Sequence, residues 1–487
     1  EAFPFATNGT TGTGGADLVP AGTTYSWTVD PNSNVTGQSA QNNKATVSQT
    51  LTNGTATAQI VTYTVTPKSG DCVGDDFTVT VTVNPEAKIA NKTYTICTGE
   101  AVPFTVAADV VPAGTKYTWA IATDNTNVSG QSAETTTPQD AFAQTLTNAT
   151  ATAQTLTYTV TPMSGTCQGD DFTVEITVNP KPAISNKTYT ICSGDKFTYA
   201  TEDGDVVPTG IKYTWTVAED ANIEGESAEN TATETMSQTL TNKTNAPIDV
   251  VYTVTPAGAC TGADFKVTVT VNPKAKIANK SYTICTGNEF PFATNGTTGT
   301  GGEDLVPDGT TYSWTVDPNS NVTGQSAQNN KTTVAQTLNN GTATAQTVVY
   351  NVTPKSGDCI GDEFKVTVTV SPKAKVANKT YTICSGETFP FATVAADVVP
   401  AGTTYSWAKP VNDNVDGQSA QDNKTTVAQT LTNLSNTAQT VVYTVTPKSG
   451  DCTGDDFTVT VKVNPKAKIA DQTYTICTGE AFPFATN

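Results

Sequence analysis

Cysteine is the residue whose type and spacing point most clearly to chemistry in this 487-residue sequence. The ten cysteines occur in two alternating contexts. Five, called the turn cysteines, lie in a glycine-rich turn: Cys72, Cys167, Cys260, Cys359 and Cys452. The other five, called the motif cysteines, lie in Thr-Ile-Cys-(Thr/Ser)-Gly: Cys97, Cys192, Cys285, Cys384 and Cys477. An even number with one of each kind per repeat predicts a disulfide framework and an oxidising, extracellular setting. Metal binding by cysteine is disfavoured because the sequence lacks histidine and the spacing Cys-x-x-Cys.

Two disulfide pairings are compatible with this spacing. The one we favour joins cysteines 25 residues apart, on either side of an Asn-Pro or Ser-Pro: Cys72–Cys97, Cys167–Cys192, Cys260–Cys285, Cys359–Cys384 and Cys452–Cys477. It requires the chain to turn at the proline and to run back antiparallel to the preceding strand. The other joins cysteines within one proline-to-proline module: Cys97–Cys167, Cys192–Cys260, Cys285–Cys359 and Cys384–Cys452. In an ordinary sandwich those cysteines would lie at opposite poles, about 25 Å apart, which exceeds the reach of a disulfide.

The rest of the composition argues against several classes of function. There is no histidine, and all 26 basic residues are lysine. The chain therefore has neither the usual base of a catalytic triad nor a bidentate phosphate clamp. The net charge of −19 disfavours nucleic acid and anionic lipid as partners. No apolar run is long enough to span a membrane. We expect no enzymatic activity, no binding to nucleic acid and no insertion into a membrane.

Acidic residues near the turn cysteines are the candidates for metal binding. The clusters are Asp71, Asp75 and Asp76, and Asp451, Asp455 and Asp456. Calcium prefers six to eight oxygen ligands, often from several carboxylates. However, the third copy of this turn retains only Asp264, and the second begins with Thr166. We therefore expect a solvated turn and no cofactor, with calcium as the alternative.

The cysteines are positioned by a repeat of 93–99 residues. Five tryptophans recur in the phrase Tyr-x-Trp: Trp27, Trp119, Trp215, Trp314 and Trp407. Each repeat closes at a proline, which predicts domains at 1–85, 86–180, 181–273, 274–372 and 373–465, with 466–487 beginning another repeat. Domain 1 would lack its first strand. An alternative phasing is 1–99, 100–194, 195–287, 288–386 and 387–479. Because the chain starts and stops inside a repeat, we expect it to be a window of a longer repetitive protein.

Alternation with a period of two predicts β-strands rather than helices. In residues 77–83, Phe and Val point to one side and Thr to the other, and residues 25–29 and 61–65 alternate in the same way. About seven short strands per repeat, with one tryptophan on the third, describe an Ig-like β-sandwich with that tryptophan in its core. The sequence therefore predicts an all-β tandem array of five Ig-like (PKD-like) modules forming an elongated rod.

Two further polar residues recur in every repeat. A glutamine shares the inward parity of the leucine after it, and we expect its amide to bond to a loop backbone: Gln49, Gln144, Gln238, Gln336 and Gln429. An aspartate precedes (Leu/Val)-Val-Pro and is expected to cap a turn: Asp17, Asp109, Asp205, Asp304 and Asp397.

The sequence resembles the PKD-like or Ig-like repeats of Bacteroidota surface proteins. The motifs that carry the resemblance lie at 63–67 (Tyr-Thr-Val-Thr-Pro), 81–85 (Val-Thr-Val-Asn-Pro), 95–99 (Thr-Ile-Cys-Thr-Gly) and 111–119. Such repeats occur in giant adhesins exported by the type IX secretion system, including the mobile adhesins of gliding motility, and in secreted hydrolases. The resemblance implies an extracellular, bacterial cell-surface location and supplies no catalytic residues.

The predicted function is a repetitive stalk of a surface adhesin, with extracellular surfaces or polysaccharides as partners and the anchoring and secretion machinery outside this sequence. Two alternatives remain open. An array of glycan-binding modules would use the loops around Tyr25 and Trp27, although both side chains have inward parity. A spacer in a polysaccharide hydrolase would carry its enzyme elsewhere in the chain.

Overall fold

A computed structural model describes residues 2–7, 17–296 and 303–483. Every regular element in these ranges is a β-strand, which confirms the predicted all-β class. The same ranges contain no helix able to cross a membrane. The domain numbers 1 to 5 below follow the ranges predicted from the repeat.

Five kinds of strand make the main sheets of domains 2 to 5, and the described residues of domain 1 form four of them. The first strands are Lys92–Cys97, Lys187–Cys192, Lys280–Cys285 and Lys379–Cys384. The tryptophan strands are Thr24–Asp30, Lys116–Thr123, Lys212–Val217, Thr311–Asp317 and Thr404–Trp407. The edge strands are Gln41–Lys44, Glu134–Gln139, Glu229–Thr233, Gln328–Lys331 and Gln421–Lys424. The long strands are Gln59–Ser69, Gln154–Ser164, Ile248–Ala257, Gln346–Ser356 and Gln439–Ser449. The last strands are Phe77–Val83, Phe172–Asn179, Phe265–Asn272, Phe364–Ser371 and Phe457–Asn464.

The strand order across the main sheet is first, last, long, tryptophan and edge. All neighbours are antiparallel except the first strand, which runs parallel to the last strand of its own sheet. In domain 2, for example, Lys92 pairs with Val174 and Cys97 with Asn179. The expected turn back at Asn-Pro is therefore wrong, because the chain after the proline continues into a new sheet. Parallel pairing requires a long crossover, and here most of the domain lies between the two strands.

Short strands complete the fold. After each long strand except that of domain 3, two residues pair back onto it: Cys72–Val73, Cys167–Gln168, Cys359–Ile360 and Cys452–Thr453. The small sheets contain Val35–Thr36, Val128–Ser129, Ile223–Glu224, Val322–Thr323 and Val415–Asp416. Their partners are Thr52–Asn53, Thr147–Asn148, Thr241–Asn242, Thr337–Asn340 and Thr430–Asn433. Domain 3 adds a pair of short strands, Lys196–Thr198 and Ser237–Thr239. Domain 4 adds Asn288–Glu289, which pairs with Thr337–Asn340, and domain 5 adds Glu387–Thr388, which pairs with Thr430–Asn433.

The core of each domain lies between the main sheet and the short strands. In domain 5, Trp407 and Tyr443 pack with Phe457, and the three side chains are at most 5% exposed. All five tryptophans are 4–6% exposed and belong to these cores. Alternating inward and outward side chains therefore place aromatic and branched residues inside and threonine outside.

Candidate functional site: the joints between domains

The joint between two domains is built from three chain segments. At the joint between domains 2 and 3, the Thr98 amide donates to the Asn179 carbonyl at 2.9 Å, so the ends of the first and last strands lie together. The linker then follows the buried Pro180. On the other side, the turn of domain 3 packs against this linker. A Cβ atom at Gly262 would lie 2.5 Å from the Pro182 carbonyl oxygen. A motif cysteine of one domain therefore faces a turn cysteine of the next.

Disulfides cross three joints by one rule. Each joins the motif cysteine of one domain to the turn cysteine of the following domain: Cys97–Cys260, Cys192–Cys359 and Cys285–Cys452. The Cα atoms are 5.9, 5.5 and 5.6 Å apart, within the usual range. The chain thus has two covalent connections at each of these joints, the backbone linker and the disulfide.

Both predicted pairings are wrong. The structure contains none of the bonds Cys72–Cys97, Cys167–Cys192, Cys260–Cys285, Cys359–Cys384 or Cys452–Cys477 between its described residues. It also contains none of Cys97–Cys167, Cys192–Cys260, Cys285–Cys359 or Cys384–Cys452 in the part described. The first pairing fails because the first strand is parallel to a later strand. The second fails because the two cysteines of one domain lie at opposite poles, and the pole of a neighbouring domain brings a different partner within reach.

Four cysteines have no disulfide partner in the described chain. They are the turn cysteines Cys72 and Cys167 and the motif cysteines Cys384 and Cys477. Cys72, Cys384 and Cys477 are exposed.

A glycine two residues after each turn cysteine allows the turn to approach the linker. In domains 2, 4 and 5, a Cβ atom at Gly169, Gly361 or Gly454 would lie 2.1–2.3 Å from a linker carbonyl oxygen. No side chain fits at that distance, because backbone atoms cannot yield as the end of a flexible side chain would. The spacing Cys-x-Gly was the sequence signal for this close packing.

A buried ion pair holds the first strand to the segment before Val-Pro. It joins the lysine that begins the first strand to the recurrent aspartate: Lys92–Asp109, Lys187–Asp205, Lys280–Asp304 and Lys379–Asp397. The aspartate also accepts hydrogen bonds from linker amides, such as Ala377 N to Asp397 Oδ1 at 2.8 Å. The expected turn cap is thus also an ion-pair partner, and sequence reasoning missed the lysine. Its signal was the recurrent Asn-Lys before the motif cysteine.

The pKa of Asp397 reflects opposing effects. Burial alone would raise it, but hydrogen bonds from Ala377 N, Lys379 Nζ and Val394 N, together with the lysine charge, lower the pKa of the carboxyl below its ordinary value of 3.8. The same balance lowers the pKa of Asp109, Asp205 and Asp304. These aspartates are therefore charged at neutral pH, and their carboxylate oxygens are engaged by the lysine and the backbone amides.

The recurrent glutamine bonds to a loop backbone, as predicted. Gln429 Nε2 donates to the Ser419 carbonyl at 2.7 Å, and its Oε1 accepts from the Ser419 amide at 3.2 Å. The same Oε1 accepts from the Tyr443 hydroxyl at 2.8 Å, and Trp407 Nε1 donates to the Ser419 carbonyl at 3.1 Å. Burial raises the pKa of the equivalent Tyr158 to about 12, so this hydroxyl remains a donor. The network ties the tryptophan strand and the long strand to the loop at Ser419, and it leaves the glutamine no free group for a ligand.

A buried asparagine, which sequence reasoning missed, ties the short strands to the last strand. Asn433 Nδ2 donates to the carbonyls of Thr437 and Val463 at 2.7 and 2.8 Å. Its Oδ1 accepts from the Ser435 amide at 2.8 Å. The equivalents in the other domains are Asn53, Asn148, Asn242 and Asn340. The recurrent ending of Thr-Leu-x-Asn was its only sequence signal.

The candidate calcium ligands do not converge in the described residues. No group of three acidic, cysteine or histidine side chains that could hold a metal ion is found there, and this applies to Asp71, Asp75 and Asp451 with the rest. Asp76 accepts a hydrogen bond from Thr66 Oγ1 at 2.5 Å, and Asp456 accepts one from Thr446 Oγ1 at 2.5 Å. These two carboxylates tie the turn to the long strand. Asp455 lines an open cleft between domains 4 and 5 with Lys373.

The aromatic pair considered for glycan binding is buried. Tyr25 is 5% exposed and Trp27 is 4% exposed. Trp27 Nε1 also donates to the Ser39 carbonyl at 3.0 Å. Neither ring offers a free face on which a sugar could stack.

The PKD-like domain family matches the sequence five times, at residues 14–87, 94–182, 189–275, 282–374 and 381–467. The chain belongs to the PKD-like domain family. Its PKD-like domains form a tandem array of Ig-like sandwiches. Tandem domains of this type are typically non-catalytic and structural, and they are consistent with a spacer or an adhesion-type extracellular module. The disulfides also favour an extracellular or secreted location. No curated protein matches the sequence significantly.

Several solved structures of tandem β-sandwich domains are similar to the chain. The titin I-band fragment I67–I69 is 14% identical, with a TM-score of 0.29, and the match covers 59% of this chain and 98% of that one. Cadherin domains 1–5 of protocadherin gamma B2 are 10% identical, with a TM-score of 0.24 and coverage of 91% and 94%. Drosophila N-cadherin EC1–4 is 10% identical, with a TM-score of 0.21 and coverage of 78% and 100%.

Proposed function

We propose that this chain is a load-bearing stalk segment of a bacterial cell-surface adhesin, in which covalent links between PKD-like domains limit how far the stalk can lengthen under tension. Its partners would be extracellular surfaces or polysaccharides at the far end of the stalk or along it. A role in gliding or attachment belongs to the same proposal. The observation that supports it is the way in which consecutive disulfides overlap along the chain.

The overlap limits extension even when a domain unfolds. If domain 3 unfolded between folded neighbours, tension would follow residues 181–192 to the Cys192–Cys359 bond, or pass from Cys97–Cys260 through residues 260–273. Either path spans about 45 Å at 3.3–3.6 Å per residue. Without disulfides, residues 181–273 would extend to about 330 Å by the same rule. An unfolded domain 3 therefore adds almost no length.

Short covalent paths of the same kind limit how far domains 2, 4 and 5 can extend when they unfold. A path that enters domain 2 leaves it at Cys97, and a path that enters domain 4 leaves it at Cys285. Domain 5 is entered at Cys452, near its end. Domain 1 has no disulfide among its described residues. Strand hydrogen bonds therefore need not resist the whole load, and the tether keeps its length when they fail.

Single-molecule stretching of the 487-residue chain from its two ends tests this function. With disulfides intact, we expect one full-length unfolding event of about 300 Å, from domain 1, and only short events from the other domains. After reduction, five full-length events are expected. Five full-length events before reduction would rule out the load-bearing design. The variant Cys260→Ser should add full-length release from domain 2, while Cys72→Ser serves as a matched control without effect.

A further inference from the structure

A polar cleft of about 730 Å³ lies at the joint between domains 4 and 5. Domain 4, the linker and the turn of domain 5 all contribute residues to its lining. The Cys285–Cys452 disulfide crosses the same joint, so two covalent connections hold the domains on either side of the cleft. Clefts between domains are a common place for ligands to bind. The polar lining includes Ser320, Thr323, Asn339, Lys373, Lys375 and Asp455.

The lysine directly after the closing proline of a domain has an acidic partner at the two preceding joints. Between domains 2 and 3, Lys181 Nζ lies 3.7 Å from Glu100 Oε1. Between domains 3 and 4, Lys274 Nζ donates to Asp195 Oδ1 at 2.8 Å. Both acidic residues directly follow the glycine of the sequence Cys-(Thr/Ser)-Gly. The charge of the linker lysine is therefore compensated within the protein at these two joints.

At the joint between domains 4 and 5, a neutral amide replaces the acidic partner. Asn288 occupies the position of the two acidic residues, directly after the glycine. Lys373 follows the closing proline of domain 4, and neither it nor Lys375 forms an ion pair with another described residue. The other charged residue of the lining is Asp455. Two lysines and one aspartate leave the cleft with one uncompensated positive charge.

Neutral polar groups in the same cleft also have free hydrogen-bonding capacity. The side chains of Ser320, Thr323 and Asn339 are exposed, and none of them forms a hydrogen bond within the described part of the chain. Hydroxyl, amide and carboxylate groups together can satisfy the hydroxyl groups of a sugar, which both donate and accept. A lysine ammonium forms its strongest hydrogen bonds with a carboxylate or a phosphate. This combination is suited to a sugar that has a carboxylate.

We infer that the cleft binds an acidic sugar residue of the uronate type within a polysaccharide. The sugar carboxylate lies at Lys373, and the sugar hydroxyl groups bond to Thr323, Asn339 and Asp455. The inference rests on the proposed function for its polysaccharide partner, and it adds the class of sugar and the place of binding. The net charge of −19 does not oppose it, because exposed charges more than about 8 Å away are largely screened at physiological salt.

The test is calorimetric titration of the oxidised 487-residue chain with uronate hexasaccharides at low ionic strength. The probes are hexasaccharides of galacturonate, of mannuronate, and of glucuronate alternating with N-acetylglucosamine. The neutral hexasaccharide of N-acetylglucosamine is the reference. We expect at least one uronate probe to bind about tenfold more tightly than the reference, because a charge-assisted hydrogen bond contributes more than a neutral one. Added salt should weaken this binding.

Substitutions at Asn288 separate the lysine charge from the shape of the cleft. Asn288→Glu supplies the acidic partner that domain 2 has at Glu100, so it should fold normally and lower the affinity for the uronate about tenfold. Asn288→Gln keeps the position neutral and should bind as the unmodified protein does. Lys373→Gln should lose the same affinity as Asn288→Glu. Its matched control is Lys365→Gln, which removes an exposed lysine of domain 4 outside the cleft.

Four results would overturn the inference. They are an absence of binding by all three uronate probes, equal affinity for the neutral hexasaccharide, equal affinity of Asn288→Glu and the unmodified protein, and equally tight binding of inorganic sulfate or duplex DNA. The last result would indicate a general anion site instead of a sugar site. None of them changes the stretching experiment, in which reduction of the disulfides alone tests the load-bearing role.

Discussion

Asp397 and Lys379 show how a recurrent polar pair acts inside each domain. Their charged atoms are 2.7 Å apart, and their side chains are 1% and 11% exposed. Removing one partner of such a pair leaves the other charge buried without compensation. Because the pair joins the start of the first strand to the segment before Val-Pro, its loss should loosen the side of the domain next to the joint.

The first prediction concerns Asp397→Asn. We expect domain 5 to lose about 3 kcal/mol of unfolding free energy at pH 7, measured in the full chain by hydrogen exchange of the long strand. Asp413→Asn, an exposed change of the same kind in domain 5, should have little effect. The two proteins should converge as the pH falls from 3.8 through the lower pKa that Asp397 has in the folded state. The folded pKa of Asp397 is lowered, so its contribution is complete above 3.8 and is lost as the pH falls through the folded pKa. A constant difference between pH 5 and pH 2 would contradict the ion-pair role.

The second prediction concerns the buried network of Gln429 and Tyr443. Gln429→Leu leaves the Tyr443 hydroxyl without its acceptor, which should cost about 1–3 kcal/mol. Adding Tyr443→Phe removes the hydroxyl that lacks an acceptor and should restore about 1 kcal/mol of the unfolding free energy. The same hydrogen-exchange measurement gives the coupling between the two changes. Purely additive losses would show that the hydroxyl and the amide do not depend on each other.

At the scale of elements, the turn after the long strand determines where a disulfide can form. In domain 5 this turn contains Cys452 and Gly454, and it lies directly on the linker at Ala374. The linker in turn pairs with the segment before Val-Pro through a bridge between Lys375 and Val398. The turn, the linker and the first strand therefore move together, which presents Cys452 to Cys285 of domain 4.

The third prediction tests this coupling with Gly454→Ala. The added Cβ would lie 2.1 Å from the Ala374 carbonyl oxygen, so the turn must shift. We expect less Cys285–Cys452 bond at a fixed ratio of oxidised to reduced glutathione, and a domain less stable by about 1–3 kcal/mol. Gly341→Ala is the matched control, because no atom lies within 4 Å of its added Cβ. An unchanged disulfide fraction in Gly454→Ala would show that formation of the Cys285–Cys452 bond does not depend on how this turn packs against the linker.

At the scale of the whole molecule, a doubled covalent connection should limit bending at each bridged joint. The linker alone is one covalent connection between two domains, whereas the linker and the disulfide together are two. The net charge of −19 adds repulsion between neighbouring stalks. Stiffness would therefore come from the joints, and spacing between molecules from the surface.

The fourth prediction is measured by small-angle scattering of the full chain. Five domains of roughly 40 Å in a row predict a maximum dimension of about 200 Å with disulfides intact. Reduction should broaden the distribution of dimensions toward shorter values while circular dichroism reports unchanged strand content. A compact particle in the oxidised state would contradict the elongated array. An oxidised and a reduced chain with identical scattering would show that the disulfides do not stiffen the joints.

Local alternation of residues was enough to determine most of the fold of a single domain. Residues 77–83 form a strand, as the alternation of Phe and Val with Thr predicts, and the inward parity of Trp27 agrees with its burial. The edge strand Gln41–Lys44 escaped prediction because it has no apolar alternation, and it contains Asn43 at a positive φ of 53°. Inward parity and the need to satisfy a buried amide also anticipated the bonding of the recurrent glutamines.

The cysteine partners were decided by the tertiary structure alone. The sequence determined that there are two kinds of cysteine, one of each per repeat, and that the two kinds lie at opposite ends of a domain. It could not show that the first strand runs parallel to a strand about 80 residues later, because parallel pairing leaves no local turn signal. That choice places Cys97 at the far pole of domain 2, where only the next domain brings a second cysteine, Cys260, within bonding distance. Which cysteines form a bond depends on how consecutive domains are arranged, and the spacing of residues within one repeat does not specify that arrangement.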